Sequence, residues 1–492
     1  MCSHRRAAWL EMKVSAWRVC LAWIAIAVQG IESKAQDSSS AVLEPRYELR
    51  GVWIATAFGI DFPKTTNAEQ QKQHLDSIFQ DLKARKFNAV FFQVRIRADV
   101  LFETDLEPYH EYLTGVYGKA PDYDVVQYAI DCSRKYGLEF HAWFNTMILR
   151  GKNATKKSVG VPSLWERHPE WIDSRAVLNP DEPTAYLNPA NPHVQAHLLK
   201  VILNFARRYD IDGIQLDDYL RYPSTTFPDT AEFQRYNPRK LALDEWRRGM
   251  ITQFVETLYD SLMQLKPYLK FGVTPIGVYR RLDNEPVMES YALYQDSREW
   301  TRRKACDYLA PQLYFHIGKT TQEEARAKQF NPDFAKLLAD WCANKNFRHL
   351  YVGLGVYKPS VKKQWREQLA LARQFGAEGV IFYPYSATAG IEAFEDYACI
   401  PPMTWKKSTL PEAPQHIRIT KQNGVVQLSW QAQPNARWYN LYEQQGNTLK
   451  LIRQHIFVPE IQIDIASGRR LFLTTIDRFG IESTHSAPVE IP

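Results

Sequence analysis

Two carboxylates, Asp217 and Asp218, stand side by side near the end of the apolar run 211-IDGIQLDDYLRYP-223. Taking a carboxylate out of water is costly unless it is paired or used. Two of them at the end of a buried strand therefore point to chemistry rather than to packing. Hydrolysis of a bond between sugars uses two carboxyl groups flanking that bond, about 5–5.5 Å apart for retention and about 6.5–9.5 Å apart for inversion. Adjacent residues on a regular strand face opposite sides. Asp217 is thus expected in a cleft as the principal catalytic carboxylate, nucleophile or base, with Asp218 orienting a neighbour. The partner acid must come from another loop, and Asp296 and Glu103 are the leading candidates.

Elements that would position these groups recur along the chain. Short β-rich runs cover 48–56, 88–95, 138–145, 212–218, 270–277, 308–315, 350–357 and 379–386, with amphipathic helical stretches between them. Gly137 and Gly376 close helices at C-caps, and Asn191-Pro192 and Asn237-Pro238 read as N-caps with a following proline. Eight alternating units make an α/β fold of the (β/α)8 TIM-barrel type. A doubly wound sheet is the alternative, but no glycine-rich phosphate loop follows the first strand.

Active sites of such barrels lie at the carboxyl ends of the strands. Those ends carry Gln93, Arg95 and Arg97; His141, Trp143 and Asn145; Gln215, Asp217 and Tyr219; and Gln312, Tyr314, Tyr357, Tyr383 and Tyr385. Polar residues repeating at period two are unusual for a core and natural for a cleft. Arg95, Arg97, His141 and Asn145 are expected to bind hydroxyl or acetamido groups. Trp143, Tyr219, Tyr314, Tyr357, Tyr383 and Tyr385 are expected to form stacking walls, with Gln312 beside them.

The chain of 492 residues holds 14 Trp, 26 Tyr and 24 Phe and carries a net charge of +6. Residues 1–35 read as a signal peptide, with a basic opening, the apolar run VCLAWIAIAV and a cleavage site after Ala35. Removing them takes away five basic and two acidic groups and leaves about +3, too mild to indicate nucleic acid. The apolar run is too short to span a bilayer, so no membrane span is expected after processing. A polar segment follows over 36–46, then the barrel over 47–400, a proline-rich linker over 401–413, and a fibronectin type III-like β-sandwich over 414–492.

Several motifs in order, among them RGVWIATAFGIDFP (50–63), FNAVFFQVRIRADVLFETDLEPY (87–109), GLEFHAWFN (137–145) and RYDIDGIQLDDYLRYP (208–223), resemble the glycosyl hydrolase-like 10 family. The resemblance runs through most of 47–400. It implies an exported TIM-barrel enzyme acting on glycans, with bacterial cell-wall peptidoglycan as the substrate class, and it carries over Asp217 and Asp218. The chain departs from the family at Gln215-Leu216, where the family has His-Phe, so no histidine can serve as a proton carrier there.

The resulting expectation is a periplasmic or secreted glycoside hydrolase with a glycan partner and no cofactor. Two rivals remain: a catalytically silent glycan-binding protein, and a metal-dependent deacetylase using Asp217, Asp218 and His141. The latter lacks HxxH-type spacing.

Overall fold

Eight short runs of buried residues pair side by side, all in parallel: β1 (Leu49–Ile54), β2 (Ala89–Ile96), β3 (Glu139–Phe144), β4 (Gly213–Leu216), β5 (Lys270–Val273), β6 (Tyr308–Leu309), β7 (His349–Gly355) and β8 (Gly379–Tyr383). Each bonds to the next, and β8 bonds back to β1, which closes a (β/α)8 barrel. The computed structural model describes residues 46–151, 156–173, 184–406, 409–422 and 425–492. The expected signal peptide and the polar segment up to residue 45 lie outside these residues.

Strand parity divides the barrel into two cores. Val90, Phe92, Phe140, Phe144, Ile214, Leu216, Val380 and Phe382 face outward onto the helices. Leu49, Trp53, Ala89, Phe91, Tyr308, Tyr351 and Ile381 face inward and fill the barrel. Each valine, leucine, isoleucine or phenylalanine among them contributes about 1.5–3 kcal/mol on burial. Inward packing is tight enough that a Cβ on Gly272 would lie 2.1 Å from the Tyr308 ring.

Helices α1 (Ala68–Ala84), α2 (Val125–Tyr136), α3 (Pro192–Arg208), α4 (Leu243–Leu265), α5 (Ser297–Arg302), α6 (Phe334–Ala343) and α7 (Trp365–Gln374) cover the outside. Asn191 caps α3 with Pro192 in its first turn, as its sequence indicates. Asn237 does not cap α4. Its side chain both donates to and accepts from the Leu241 backbone, and α4 begins only at Leu243. Between β5 and β6 the helical structure is reduced to a 3-10 turn at Tyr291–Leu293 and the short α5. Among the described residues no helix is long and apolar enough to cross a membrane.

After the barrel come two antiparallel sheets. One holds β9 (Arg418–Gln422), β10 (Val425–Ser429) and β13 (Glu460–Ile463); the other holds β11 (Ala436–Gln445), β12 (Thr448–Ile456), β14 (Arg470–Asp477) and β15 (Val489–Glu490). Together they form a small all-β region. This region sits against the amino-terminal end of the barrel strands. Arg437 of β11 grips Asp212, just ahead of β4, through two bonds of 2.7 and 2.8 Å. Asp212 also accepts from the Phe140 amide at 2.9 Å. Arg478 and Arg134 hold Asp210. Gly137 ends α2 at φ 71°, and a Cβ there would meet the His455 carbonyl at 2.6 Å, so only glycine serves both the turn and the contact. The preceding segment is packed too: Trp405 donates to Asp307 at 2.8 Å, and Lys406 pairs with the same carboxylate at 2.9 Å.

Removing one partner of a buried ion pair leaves a charge uncompensated, at about 3–5 kcal/mol. Arg437→Ala is expected to lower the urea midpoint of the whole chain accordingly, read by tryptophan fluorescence. An unchanged midpoint would mean that this pair does not secure β4.

Candidate active site

The carboxyl ends of β1 through β8 surround a cavity of about 300 Å³. Strand β4 stops at Leu216, and the chain turns at Asp217 and Asp218. The alternation that would send adjacent side chains to opposite faces therefore ends one residue too early to separate them. Both aspartates line the cavity. This corrects the expectation that only Asp217 reaches it.

Their surroundings differ. Asp217 is buried at 1% exposure, and both its oxygens are held. Asn145 donates to Oδ2 at 2.5 Å, while the Thr146 amide and hydroxyl donate to Oδ1 at 3.2 and 3.1 Å. Asp218 is half-buried and accepts from Gln312 Nε2 at 3.0 Å. Its turn is fixed by Gln295, whose amide bonds the Asp218 and Leu220 carbonyls. Burial pushes the Asp217 carboxyl well above the usual range, and the neighbouring Asp218 charge pushes it further, against the Asn145 and Thr146 bonds. Burial also raises Asp218, opposed first by the Arg221 guanidinium and then by Gln312. Two like charges this close do not both ionise readily, so the pair titrates as a unit and keeps a proton above the ordinary carboxylate range.

A relay of amides connects the first strand to this pair. Gln93 accepts from the Thr56 and Ala57 amides at 2.9 and 2.8 Å and donates to Asn145 Oδ1 at 3.1 Å. Trp53 donates to Gln215 Oε1 at 2.6 Å on the floor. The walls are aromatic. Tyr314 and Tyr383 stack at 5.6 Å and 9°, Trp53 and Trp143 meet the Tyr383 ring edge-on, and Tyr357 stands half-exposed at the rim. Tyr219 also lines the cavity. Across the rim, Arg97 lies over the Phe58 ring at 4.2 Å. Both residues have left-handed backbones, at φ 52° and 54°, the kind of local cost that concentrates at binding sites.

Thus Asp217, Arg97, Trp143, Asn145, Tyr219, Gln312, Tyr314, Tyr357 and Tyr383 come together as expected, and Asp218 joins them. Five other candidates do not. Pairing between β2 and β3 slips after Gln93, and Arg95 turns inside to bind Glu107 at 2.6 and 2.7 Å and the Asn145 and Thr146 carbonyls. It braces the site from behind and does not line the cavity. Burial alone would raise Glu107, but the charge of Arg95 and bonds from His197 and Arg95 outweigh it and bring Glu107 to about 2. His141 lies one layer below Trp143, fully buried between Tyr308 and Glu139, so Asp217, Asp218 and His141 do not assemble as a metal set. Tyr385 points to Asp81 of α1 at 3.2 Å. Asp296 accepts from Tyr279 at 2.6 Å and lines a separate groove. Glu103 is exposed on the surface and pairs with Arg208 at 2.6 Å. Trp53, Phe58, Thr146, Arg221 and Thr274 were not anticipated. Trp53 alone carried a signal, an inward parity shared with Leu49 and Gly51.

Against known proteins, residues 48–365 match the family described as glycosyl hydrolase-like 10. The chain is 30% identical to glycosyl hydrolase YngK of Bacillus subtilis (strain 168) over 442 residues, covering 81% of this chain and 83% of that protein. It is 29% identical to glycosyl hydrolase DigH of Escherichia coli (strain K12) over 343 residues, covering 63% of this chain and 73% of the relative. The glycoside hydrolase domain of PgaB (BpsB) from Bordetella bronchiseptica superposes with a TM-score of 0.46 at 15% identity, over 70% of this chain and 96% of that domain.

An acid whose folded pKa is raised binds its proton more tightly when folded. Its contribution to stability is complete below the unfolded value of about 4 and is lost as pH rises through the folded value. Unfolding free energy of the parent should therefore carry a falling component above about pH 4. Asp217→Asn and Asp218→Asn should each flatten it in urea titrations at stepped pH. Parallel curves for parent and variants would mean that the pair does not hold a proton.

Proposed function

The chain belongs to the glycosyl hydrolase-like 10 family, and from that premise we propose that it is an exported glycoside hydrolase cleaving O-glycosidic bonds in bacterial cell-wall peptidoglycan strands, with Asp217 and Asp218 as its acid–base pair. One observation carries this reading: two adjacent carboxyls, one buried and one half-buried and both shifted toward the protonated form, line a cavity walled by Trp53, Trp143, Tyr314 and Tyr383. Flat rings offer stacking surfaces to sugar faces. The naming of relatives as glycosyl hydrolases supports the glycan class, and the leader-like composition of residues 1–35 supports export.

In this reading the pair enters the reaction with one proton and one negative charge. Asp218, the more open of the two, delivers the proton to the leaving glycosidic oxygen as its bond to the anomeric carbon breaks. The negative charge left on the pair stabilises the oxocarbenium character that develops on the ring. Water then adds to the anomeric carbon, and its released proton returns to the pair. Asn145, Thr146 and Gln312 keep both carboxyls fixed throughout, and the Arg95–Glu107 pair fixes the two backbone carbonyls behind them.

A second reading has its own observation. Among the cavity-lining residues, both carboxyls come from one turn, and none faces them from the opposite wall. That arrangement suits a glycan receptor without turnover. Purified glycan strands with product analysis separate the two. Hydrolysis by the parent that falls about 10²–10⁴-fold in Asp217→Asn and in Asp218→Asn, with binding retained, is the outcome expected of the enzyme. Binding without cleavage by parent and variants alike would establish the receptor instead.

A further inference from the structure

Thr274 follows β5 directly, and its amide bonds the Leu216 carbonyl at 2.8 Å. The register of β4 with β5 pairs Gln215 with Gly272 and Leu216 with Val273, which sets Thr274 opposite Asp217. Val273 faces outward into the helix-covered core, so Thr274 faces the barrel axis, and it lines the cavity. The residue is 3% exposed, and its hydroxyl has no hydrogen-bond partner among the described residues. The two carboxyls beside it take their bonds from other groups. Asp217 turns both oxygens toward Asn145 and Thr146 on the far side. Asp218 accepts from Gln312.

A buried hydroxyl left unbonded costs folding free energy, and replacing it with a methyl group of the same shape is neutral or favourable unless the hydroxyl is used. Sugar hydroxyls that donate to the two carboxyls need donors in return, yet the Asn145 and Gln312 amides both have bonds to those same carboxyls. We infer that Thr274 is a substrate-contacting residue that donates a hydrogen bond to a sugar oxygen seated over Asp217 and Asp218. This rests on the glycan reading of the site and adds to it a specificity element: an oxygen-bearing position on the sugar that β5 inspects.

The test compares the parent, Thr274→Val and Thr274→Ser in kinetics on purified glycan strands and in urea unfolding without glycan. The valine variant should lose about 3- to 10-fold in kcat/KM with an unfolding midpoint equal to or above the parent's, and serine should restore the rate. A valine midpoint well below the parent's would reveal a protein partner for the hydroxyl and overturn the inference. Equal kcat/KM for valine and a cleaving parent would overturn it while leaving the glycan reading intact. A parent that neither binds nor cleaves the strands would end both.

Discussion

Two adjacent carboxyls held in a single turn are the constraint around which this barrel is arranged. Their mutual repulsion and their desolvation both oppose folding. The arrangement persists because every adjoining strand contributes toward it. Strand β3 leads to the Asn145 amide and the Thr146 hydroxyl, Gln312 arrives from beyond β6, and Gln295 pins the turn from the loop after β5. Arg221 contributes positive charge from within the turn itself. Preorganised dipoles of this kind do not have to rearrange during a reaction.

The rest of the interior supports that arrangement at one remove. Arg95 spends its guanidinium on Glu107 and on the carbonyls of Asn145 and Thr146, so the two residues that hold Asp217 are fixed from behind. Gln93 links the same Asn145 to the backbone after β1. Below them the barrel is filled by rings: His141 on Phe91 at 4.6 Å, and Tyr308 beside Tyr351 at 5.0 Å. Polarity thus decreases from the cavity downward and returns at the opposite end, where Lys270 meets Glu139 at 2.6 Å.

Much of this was legible in the residues alone. Short β-rich apolar runs located all eight strands, because inward and outward faces both had to be buried. Caps at Asn191 and Gly137 followed from local chemistry. Parity along β3 correctly put Trp143 and Asn145 on the cavity side, but it specifies a face and not a depth, so His141 fell a layer too low to reach a ligand. Arg95 was misread because a slip in strand pairing leaves no mark on the sequence. Asp218 was misread because strand length, which depends on neighbours, decided where alternation stopped. Asp296 and Glu103 had no local signal to separate them from ordinary caps and surface charges. Thr274 was invisible for a different reason: its interest lies in a bond it does not make.

The grip of Arg437 on Asp212 has an evolutionary corollary. Asp212 and Asp217 sit at the two ends of the same four-residue strand, so the terminal β region and the cavity floor share one short lever. A cassette that lineages could swap or discard freely would need an indifferent seam, and this seam carries a paired, buried counter-ion. Descendants that exchange the region must bring a replacement cation to the same spot or retune the barrel base, which ties the histories of the two parts together.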